Sequence, residues 1–222
     1  MSTRPVKPRR RYESPRRREQ AEATRAAILE AAQRLFERDG YRATTMASVA
    51  AEAGVALKTV YVAFETKSGL LRALWHLLLR GDQGDVPQTE RPWYRALLAE
   101  PDPEARLRAM ASTSRQVKVR AGALMNVIRD GASADPDVAA LWGRIQSQFL
   151  ELLTPLAASL AEEGSLRPGL DVDRAADLLW TLNHPDLWRL LVGERGWSAG
   201  DYEEWLVRAF CADLLGRPPA GG

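Results

Sequence analysis

The sequence predicts an all-α protein with a small N-terminal helical head and a larger helical body. Apolar residues recur at helical spacing, and no alternating apolar run indicates a strand. Residues 44–70 contain a helix, a tight turn and a second helix. Charge is uneven: residues 1–80 hold 16 Lys and Arg against 8 Asp and Glu, whereas the remainder holds 15 against 21. One end of the molecule is therefore expected to face phosphates.

The stretch TTMASVAAEAGVALKTVYVAFETKSGL, residues 44–70, defines the head. Thr44 or Thr45 can cap its first short helix, and Gly54 follows that helix where a left-handed backbone is easiest for glycine. Val60 and Phe64, four residues apart, give the second helix an inward face. The pattern fits a helix-turn-helix whose second helix enters the DNA major groove.

The flanking segments complete the head and its connection to the body. Residues 1–19 are rich in Arg and Pro and are expected to form a disordered basic arm that contributes salt-dependent, non-specific binding. A minor-groove contact and a merely solubilising tail both remain open for this arm. The first helix should run from Gln20 to Asp39 and end at Gly40. A fourth helix, capped by Thr66 and starting near Lys67, should link the head to the body.

The predicted domains are a helix-turn-helix domain at 20–66, a helical effector-binding and dimerisation domain at 67–216 and a flexible tail at 217–222. A polar connection at 81–88 is the best internal boundary. Further helices are predicted at 92–100, at 102–130 with a break near Gly122, at 135–163 with a kink at Pro155, at 171–192 and at 198–216.

Composition argues against several other classes of protein. Cys211 is the only cysteine, so no internal disulfide is possible. His76 and His184 are the only histidines and lack metal-ligand spacing, and no glycine-rich phosphate loop or nucleophile elbow occurs. We expect no enzyme activity, no metal and no cofactor. The absence of a signal-like or membrane-spanning apolar run leads us to expect a cytoplasmic protein.

The first third of the chain resembles the N-terminal domain of the TetR family of transcriptional regulators. The resemblance is carried by TRAAILEAA from residue 24, Leu35-Phe36, Gly40-Tyr41, Thr44-Thr45, Val49-Ala50, Ala53-Gly54-Val55, Thr59-Val60-Tyr61, Phe64, Lys67 and Leu70-Leu71. A looser likeness near the C-terminus includes ERGWS, Tyr202 and Trp205-Leu206.

The resemblance implies a homodimer that reads a palindromic operator in double-stranded DNA. By this analogy Thr45, Tyr61 and Lys67 would contact phosphates, which position the protein without specifying sequence. The residues best placed to approach base edges are Leu57, Lys58, Thr59 and Val62. Lys58 stands where many members have glycine, and Ala63 where many have histidine, so the operator cannot be inferred by analogy.

The C-terminal helices are expected to supply a two-fold dimer interface, the alternative being an ordinary monomer core. Their apolar residues are Leu178, Leu179, Leu182, Leu187, Leu190 and Leu191, then Leu206, Phe210 and Leu214. A ligand cavity is expected between body helices. The candidate lining residues are Met110, Met125, Trp142, Phe149, Trp180, Asn183 and His184, although such residues are often plain core.

These features predict a sequence-specific DNA-binding regulator, a repressor by family expectation, that a small-molecule effector of unknown identity releases from its operator. Two alternatives stay open at this point. One is an architectural or non-specific DNA-binding protein without an effector. The other is a helical small-molecule binding or interaction protein whose head has lost its DNA specificity.

Overall fold

The computed structural model describes residues 15–80 and 87–216, and these residues form helices with no strand among them. A 3₁₀ turn, Gln88–Glu90, precedes α5, and π-helical segments continue α9 through Arg189–Glu194 and α10 through Cys211–Leu215. The helices are α1 (Pro15–Ala43), α2 (Met46–Glu52), α3 (Leu57–Phe64), α4 (Lys67–Arg80), α5 (Pro92–Ala99), α6 (Pro103–Gly131), α7 (Pro136–Glu162), α8 (Val172–Leu182), α9 (Pro185–Trp188) and α10 (Ala199–Phe210).

The head has the predicted helix-turn-helix. Thr45 caps α2 by accepting from the Ser48 backbone N–H, and the Ser48 hydroxyl accepts from the Thr45 N–H in return. Gly54 lies between α2 and α3 with φ 65°, a conformation that a side chain would strain. α1 is interrupted at Gly40, where φ is 77° and ψ is 175°. Local turn chemistry therefore sets the path of the chain through the head.

Two hydrophobic clusters hold the molecule together. The head cluster joins α1–α4 to the second half of α6 and the first half of α7, and it includes Phe36, Val60, Leu71 and Ile128. The body cluster joins α5, α8 and α10 to the other halves of α6 and α7. The head thus packs directly on two helices that also form the body. The proposed domain division at residue 67 stays a prediction.

The body helices begin at the predicted caps but differ in two places from the predicted pattern. Asp102, Asp135, Asp171 and Ser198 cap α6, α7, α8 and α10. α6 runs through Gly122 without the predicted break, and Trp188 packs beside this glycine. The single helix predicted at 171–192 is wrong. α8 ends at Leu182, because Pro185 forces the preceding His184 into an extended conformation.

The predicted disordered arm is wrong for residues 15–19, which form the start of α1. Pro15 suits this position because a first helical residue needs no hydrogen-bonded N–H. Residues 1–14 of the arm, residues 81–86 of the polar connection and the tail 217–222 lie outside the described residues.

No single helix in residues 15–80 or 87–216 has the length and apolar character to cross a membrane; the α2–α3 pair passes by composition and length but is bent by 114°.

Arg106 ties three parts of the body together from a buried position. Its side chain is 1% exposed and donates to the Glu100 carbonyl, the Ser159 hydroxyl at 2.8 Å and the Glu163 carboxylate at 2.8 Å. Arg108, two residues later on α6, is half exposed and pairs with Glu104 at 2.9 Å. The two arginines therefore differ in burial while sharing the same helix.

Replacing Arg106 with Met should lower the free energy of unfolding by about 2–3 kcal/mol, because the partly buried Glu100 carbonyl and Ser159 hydroxyl both lose their donor, whereas Glu163 is exposed to water. Arg108→Met is the matched control and should cost about 1 kcal/mol or less. Urea denaturation at one fixed protein concentration measures both variants. Equal losses of stability in the two variants would contradict the structural role assigned to the hydrogen bonds of Arg106.

Candidate DNA-binding surface and effector cavity

The predicted reading residues lie on the outward side of α3. Val62 is 76% exposed, Tyr61 is 48% exposed and Leu57 is 42% exposed, whereas Val60 and Phe64 are buried in the head cluster. Lys58 is also exposed, and Thr59 is half-buried. A large apolar side chain as open as Val62 is unfavourable in water unless a partner covers it. This face is therefore suited to contacting another surface.

α3 is held in place by α1 through a contact that the sequence did not reveal. Arg25 donates to the Ala63 carbonyl at 2.9 Å, and its guanidinium lies 4.2 Å from the centre of the Phe64 ring. A cation over an aromatic face is attracted by the ring quadrupole. The last turn of α3 is thus fixed by a side chain 38 residues earlier in the chain.

Thr45 is exposed at the start of α2, as its predicted role requires, and its hydroxyl already belongs to the capping box with Ser48. The backbone N–H groups at this end of α2 have the orientation that favours an anion. A phosphate contact by Thr45 stays a prediction.

Lys67 makes contacts within the chain that its predicted role in binding a phosphate does not include. Its ammonium donates to the Tyr41 carbonyl at 2.8 Å and the Thr44 carbonyl at 3.0 Å, and it lies 4.2 Å from the centre of the Tyr41 ring. Burial lowers the pKa of Lys67, and the nearby Asp135 partly opposes this effect. The two carbonyls leave one N–H for a phosphate, so that contact stays a prediction, but Lys67 also clamps the loop before α2.

The clamp continues into a polar junction between head and body. The Tyr41 hydroxyl donates to Asp135, the cap of α7, and the Ser68 hydroxyl donates to Asp137 at 3.1 Å. The Tyr41 ring packs on Gly131, the last residue of α6. Burial and the Asp135 carboxylate raise the pKa of Tyr41, so its hydroxyl keeps the proton that it donates. We call Tyr41, Lys67, Ser68, Gly131, Asp135 and Asp137 the head–body junction.

A cavity of about 310 Å³ lies between the body helices, and of the predicted residues it is lined by Met110, Met125, Phe149 and Asn183. Trp142, Trp180 and His184 do not line it. Instead, both tryptophan rings pack against the His184 ring, with centroid distances of 6.4 and 4.9 Å. The other lining residues are Trp75, His76, Leu79, Pro87, Gln88, Thr89, Trp93, Thr113, Ser114, Val117, Lys118, Ile145, Gln146, Gln148, Glu151, Leu152 and Pro185.

Lys118 is the cavity residue that sequence reasoning missed. It is 2% exposed, and its ammonium donates to Ser114 Oγ at 2.6 Å, to both oxygens of Asn183 and to the Tyr202 hydroxyl at 3.0 Å. Burial lowers the pKa of Lys118 well below its usual value. Among the described residues, all its hydrogen-bond partners are neutral. We call Ser114, Lys118, Asn183 and Tyr202 the lysine cluster.

His184 contributes indirectly, through Gln146 of the cavity wall. His184 caps α9 by accepting the Asp186 N–H on Nδ1, at 3.2 Å. Burial lowers the pKa of His184, so at neutral pH its proton lies on Nε2, 2.7 Å from the Gln146 amide. A donor there requires the amide oxygen of Gln146, which leaves the Gln146 NH₂ as the half without a partner in the described chain.

Comparison with known proteins shows which proteins this chain resembles. The family profile of bacterial regulatory proteins, tetR family, matches residues 28–74, which include the helix-turn-helix. TtgR of Pseudomonas putida, a helix-turn-helix transcriptional regulator, is 28% identical over 216 residues, covering 92% of this chain and 97% of TtgR.

The chain carries the DNA-binding domain of the TetR family of transcriptional regulators. ArpR, also of Pseudomonas putida and named as a probable regulator of the same type, matches over the same shares of both chains at 28% identity. The crystal structure of NalD, the secondary repressor of the MexAB-OprM multidrug efflux pump in Pseudomonas aeruginosa, shares the fold. Its TM-score is 0.68 at 21% identity, over 88% of this chain and 98% of NalD.

The likeness to the TetR family favours one of the functions that the sequence left open. Members of the family are non-enzymatic helix-turn-helix regulators of transcription, typically repressors that respond to ligands, and they act as dimers. This chain is a DNA-binding transcriptional regulator, and the two alternatives are disfavoured.

The packing of Tyr41 on Gly131 can be tested with two glycine substitutions. A methyl group at Gly131 would lie 2.9–3.1 Å from atoms of Tyr41, so Gly131→Ala should displace the ring and destabilise the protein by about 1–3 kcal/mol. Gly143→Ala meets nothing within 4 Å and should stabilise α7 by up to about 1 kcal/mol. Chemical denaturation compares the two, and stabilisation by both would contradict the described junction.

Proposed function

We propose that the protein is a homodimeric repressor that binds a palindromic operator and leaves it when a small molecule occupies the cavity. The observation that carries this proposal is the head–body junction. It connects the loop before α2 and the start of α4 to adjoining ends of α6 and α7. These same two helices line the cavity. A ligand that shifts α6 against α7 would therefore move the head.

DNA recognition is assigned to α3 and the residues around it. Lys58 would donate to guanine O6 or N7, and Leu57, Val62 and the Thr59 methyl group would contact thymine methyl groups. Thr45, Tyr61 and Lys67 would contact phosphates. The exposure of Val62 and Tyr61 supports this assignment, and so does the basic N-terminal third of the chain.

The dimer interface is assigned to the outer face of α8–α10, with a revised set of residues. Leu179, Leu206, Phe210 and Leu214 are fully buried within one chain, so they belong to the protomer core rather than to an interface. Leu190 is 38% exposed, and Leu187, Leu191 and Trp205 are partly buried. An isologous contact through such residues would place one head on each side of a two-fold axis.

Release of the operator requires the effector to distinguish two arrangements of the heads. A shift from 1:99 to 99:1 in favour of the released state needs about 5.5 kcal/mol of differential binding. The spacing of the two α3 helices must match successive major grooves, about 34 Å apart or a small multiple of that distance. A modest displacement at the junction, present in both subunits, would break this match.

Footprinting on the DNA that flanks the protein's own gene tests the proposal. We expect a protected palindrome with two half-sites centred about one helical turn, or a small multiple, apart. Uniform, salt-sensitive protection without a preferred site would favour an architectural protein. The absence of binding at low salt would contradict the DNA-binding assignment.

Two substitutions on α3 separate base reading from phosphate contact. Lys58→Ala should change the order of preference among operator variants, by about 1–3 kcal/mol at the base that it reads. Tyr61→Phe keeps the ring and should weaken all sequences similarly, because a phosphate contact carries no sequence information. Electrophoretic mobility-shift titrations with a set of single-base operator variants provide the measurement. Unchanged relative affinities in Lys58→Ala would remove Lys58 from the reading surface.

A further inference from the structure

The lysine cluster is unusual in its charge balance. A lysine that is 2% exposed normally has a carboxylate beside it, because transfer of an ammonium out of water costs several kcal/mol. Lys118 has none among the described residues, where its hydrogen bonds go to Ser114, Asn183 and Tyr202. Neutral oxygens satisfy its N–H groups but do not balance its charge. The cluster is therefore set up for a negative charge supplied from outside the chain.

The cluster borders the cavity, where such a charge could be placed. Ser114, Lys118 and Asn183 all line it. The Asn183 side-chain oxygen accepts from both Lys118 and Ser114, so its NH₂ group remains a donor with no partner among the described residues. Gln146, on the facing helix α7, has one buried half of its amide without a partner, and this half is the NH₂ group when the amide oxygen accepts from His184 Nε2. The Lys118 ammonium and the Asn183 amide thus lie on one wall of the cavity, and the Gln146 amide lies on the opposite wall.

The remaining walls of the cavity indicate what the uncharged part of a ligand should be. Trp75, Trp93, Met110, Phe149 and Leu152 give the cavity a largely aromatic and aliphatic lining. A volume of about 310 Å³ lies at the small end of the range for ligand sites, which suits a body of one or two fused rings or a short branched chain.

Among the residues that the structure describes, two other titratable groups line the cavity and must be weighed against an anion. Glu151 is exposed, so water and salt screen its repulsion. His76 is partly buried and would add attraction if protonated. Lys118 is the deepest of the three charges and lies where the dielectric constant is lowest, so its attraction dominates.

We infer that the effector is an amphipathic organic anion, a carboxylate with a compact aromatic or branched apolar body, whose charged group is bound by the lysine cluster. This inference rests on the proposed function, in that the cavity is taken as the effector site. The carboxylate would replace one of the neutral oxygens around Lys118 and accept hydrogen bonds from Lys118 and from the Asn183 amide, while the apolar body contacts the tryptophans and Phe149. An anion beside Lys118 would also offset the burial that lowers its pKa.

The inference can be tested on the full chain with 1-naphthylacetate and its uncharged, size-matched analogue 1-naphthylacetamide. Isothermal titration calorimetry should show that the wild-type protein binds the carboxylate about tenfold or more tightly than the amide. Equal affinities, a preference for the amide, or no binding of either probe would overturn the inference.

Variants identify the charge that is responsible. Lys118→Met should abolish the preference for the carboxylate while leaving the affinity for the amide within about threefold. Lys118→Gln, whose amide can still donate to Asn183, should do the same if Lys118→Met fails to fold by circular dichroism. Arg144→Met is the matched control, because it removes one positive charge from the exposed side of α7. Retention of the preference in a folded Lys118 variant would overturn the assignment to this residue.

The titrations and the footprint are independent of each other. A protein that protects a palindrome but binds both probes alike contradicts the anionic effector alone. A protein that prefers the carboxylate but protects no DNA site contradicts the proposed repressor, while the lysine cluster remains an anion site.

Discussion

The ammonium of Lys67 lies where three parts of the molecule meet, and the position of the reading helix depends on it. It donates to one carbonyl in the last turn of α1 and to one in the loop that leads into α2, and it covers the ring of Tyr41, whose hydroxyl donates to the cap of α7. One side chain at the start of α4 therefore fixes both the segment that leads into the helix-turn-helix and the packing of the head against the body. Charge-assisted hydrogen bonds are about twice as strong as neutral ones, so the contacts of Lys67 couple these elements firmly.

Lys118 and Lys67 show two different uses of a buried cation in one chain. Lys67 is only partly desolvated, has Asp135 nearby, and serves to join elements. Lys118 is fully buried, has neutral partners among the described residues, and faces a cavity. Burial of an uncompensated charge costs stability, and such a cost persists in proteins mainly where function depends on it. The comparison explains why one lysine is interpreted as structural and the other as a ligand-binding group.

Sequence reasoning succeeded where short-range chemistry decides the outcome. The turn at Gly54 and the inward positions of Val60 and Phe64 follow from local conformation and helical spacing, so they could be predicted residue by residue. Lys118 could not be found in this way. A lysine within a helix is usually solvated, and only the approach of α8 and α10 to α6 encloses it.

The same dependence on distant helices explains why only four of the seven residues predicted to line the cavity do so. The prediction for Trp142 and Trp180 rests on the general burial of aromatic residues, which does not determine the space that their rings border. Their rings contact His184 instead, and His184 orients Gln146. Asn183 was accessible to prediction because Pro185 marks the break beside it. Lining residues depend on which helix faces meet, and this information is spread over distant segments.

α6 and α7 each contribute one half to the head cluster and the other half to the body cluster. The two clusters therefore cannot lose their packing independently, since melting either one would free half of a helix that the other needs. Local opening of the chain should be rare in this region, and the amide protons of α6 should exchange with solvent only when most of the molecule unfolds. A ligand held in the cavity would then slow amide exchange in α1–α3, which contribute no lining residue, through shared cooperativity alone.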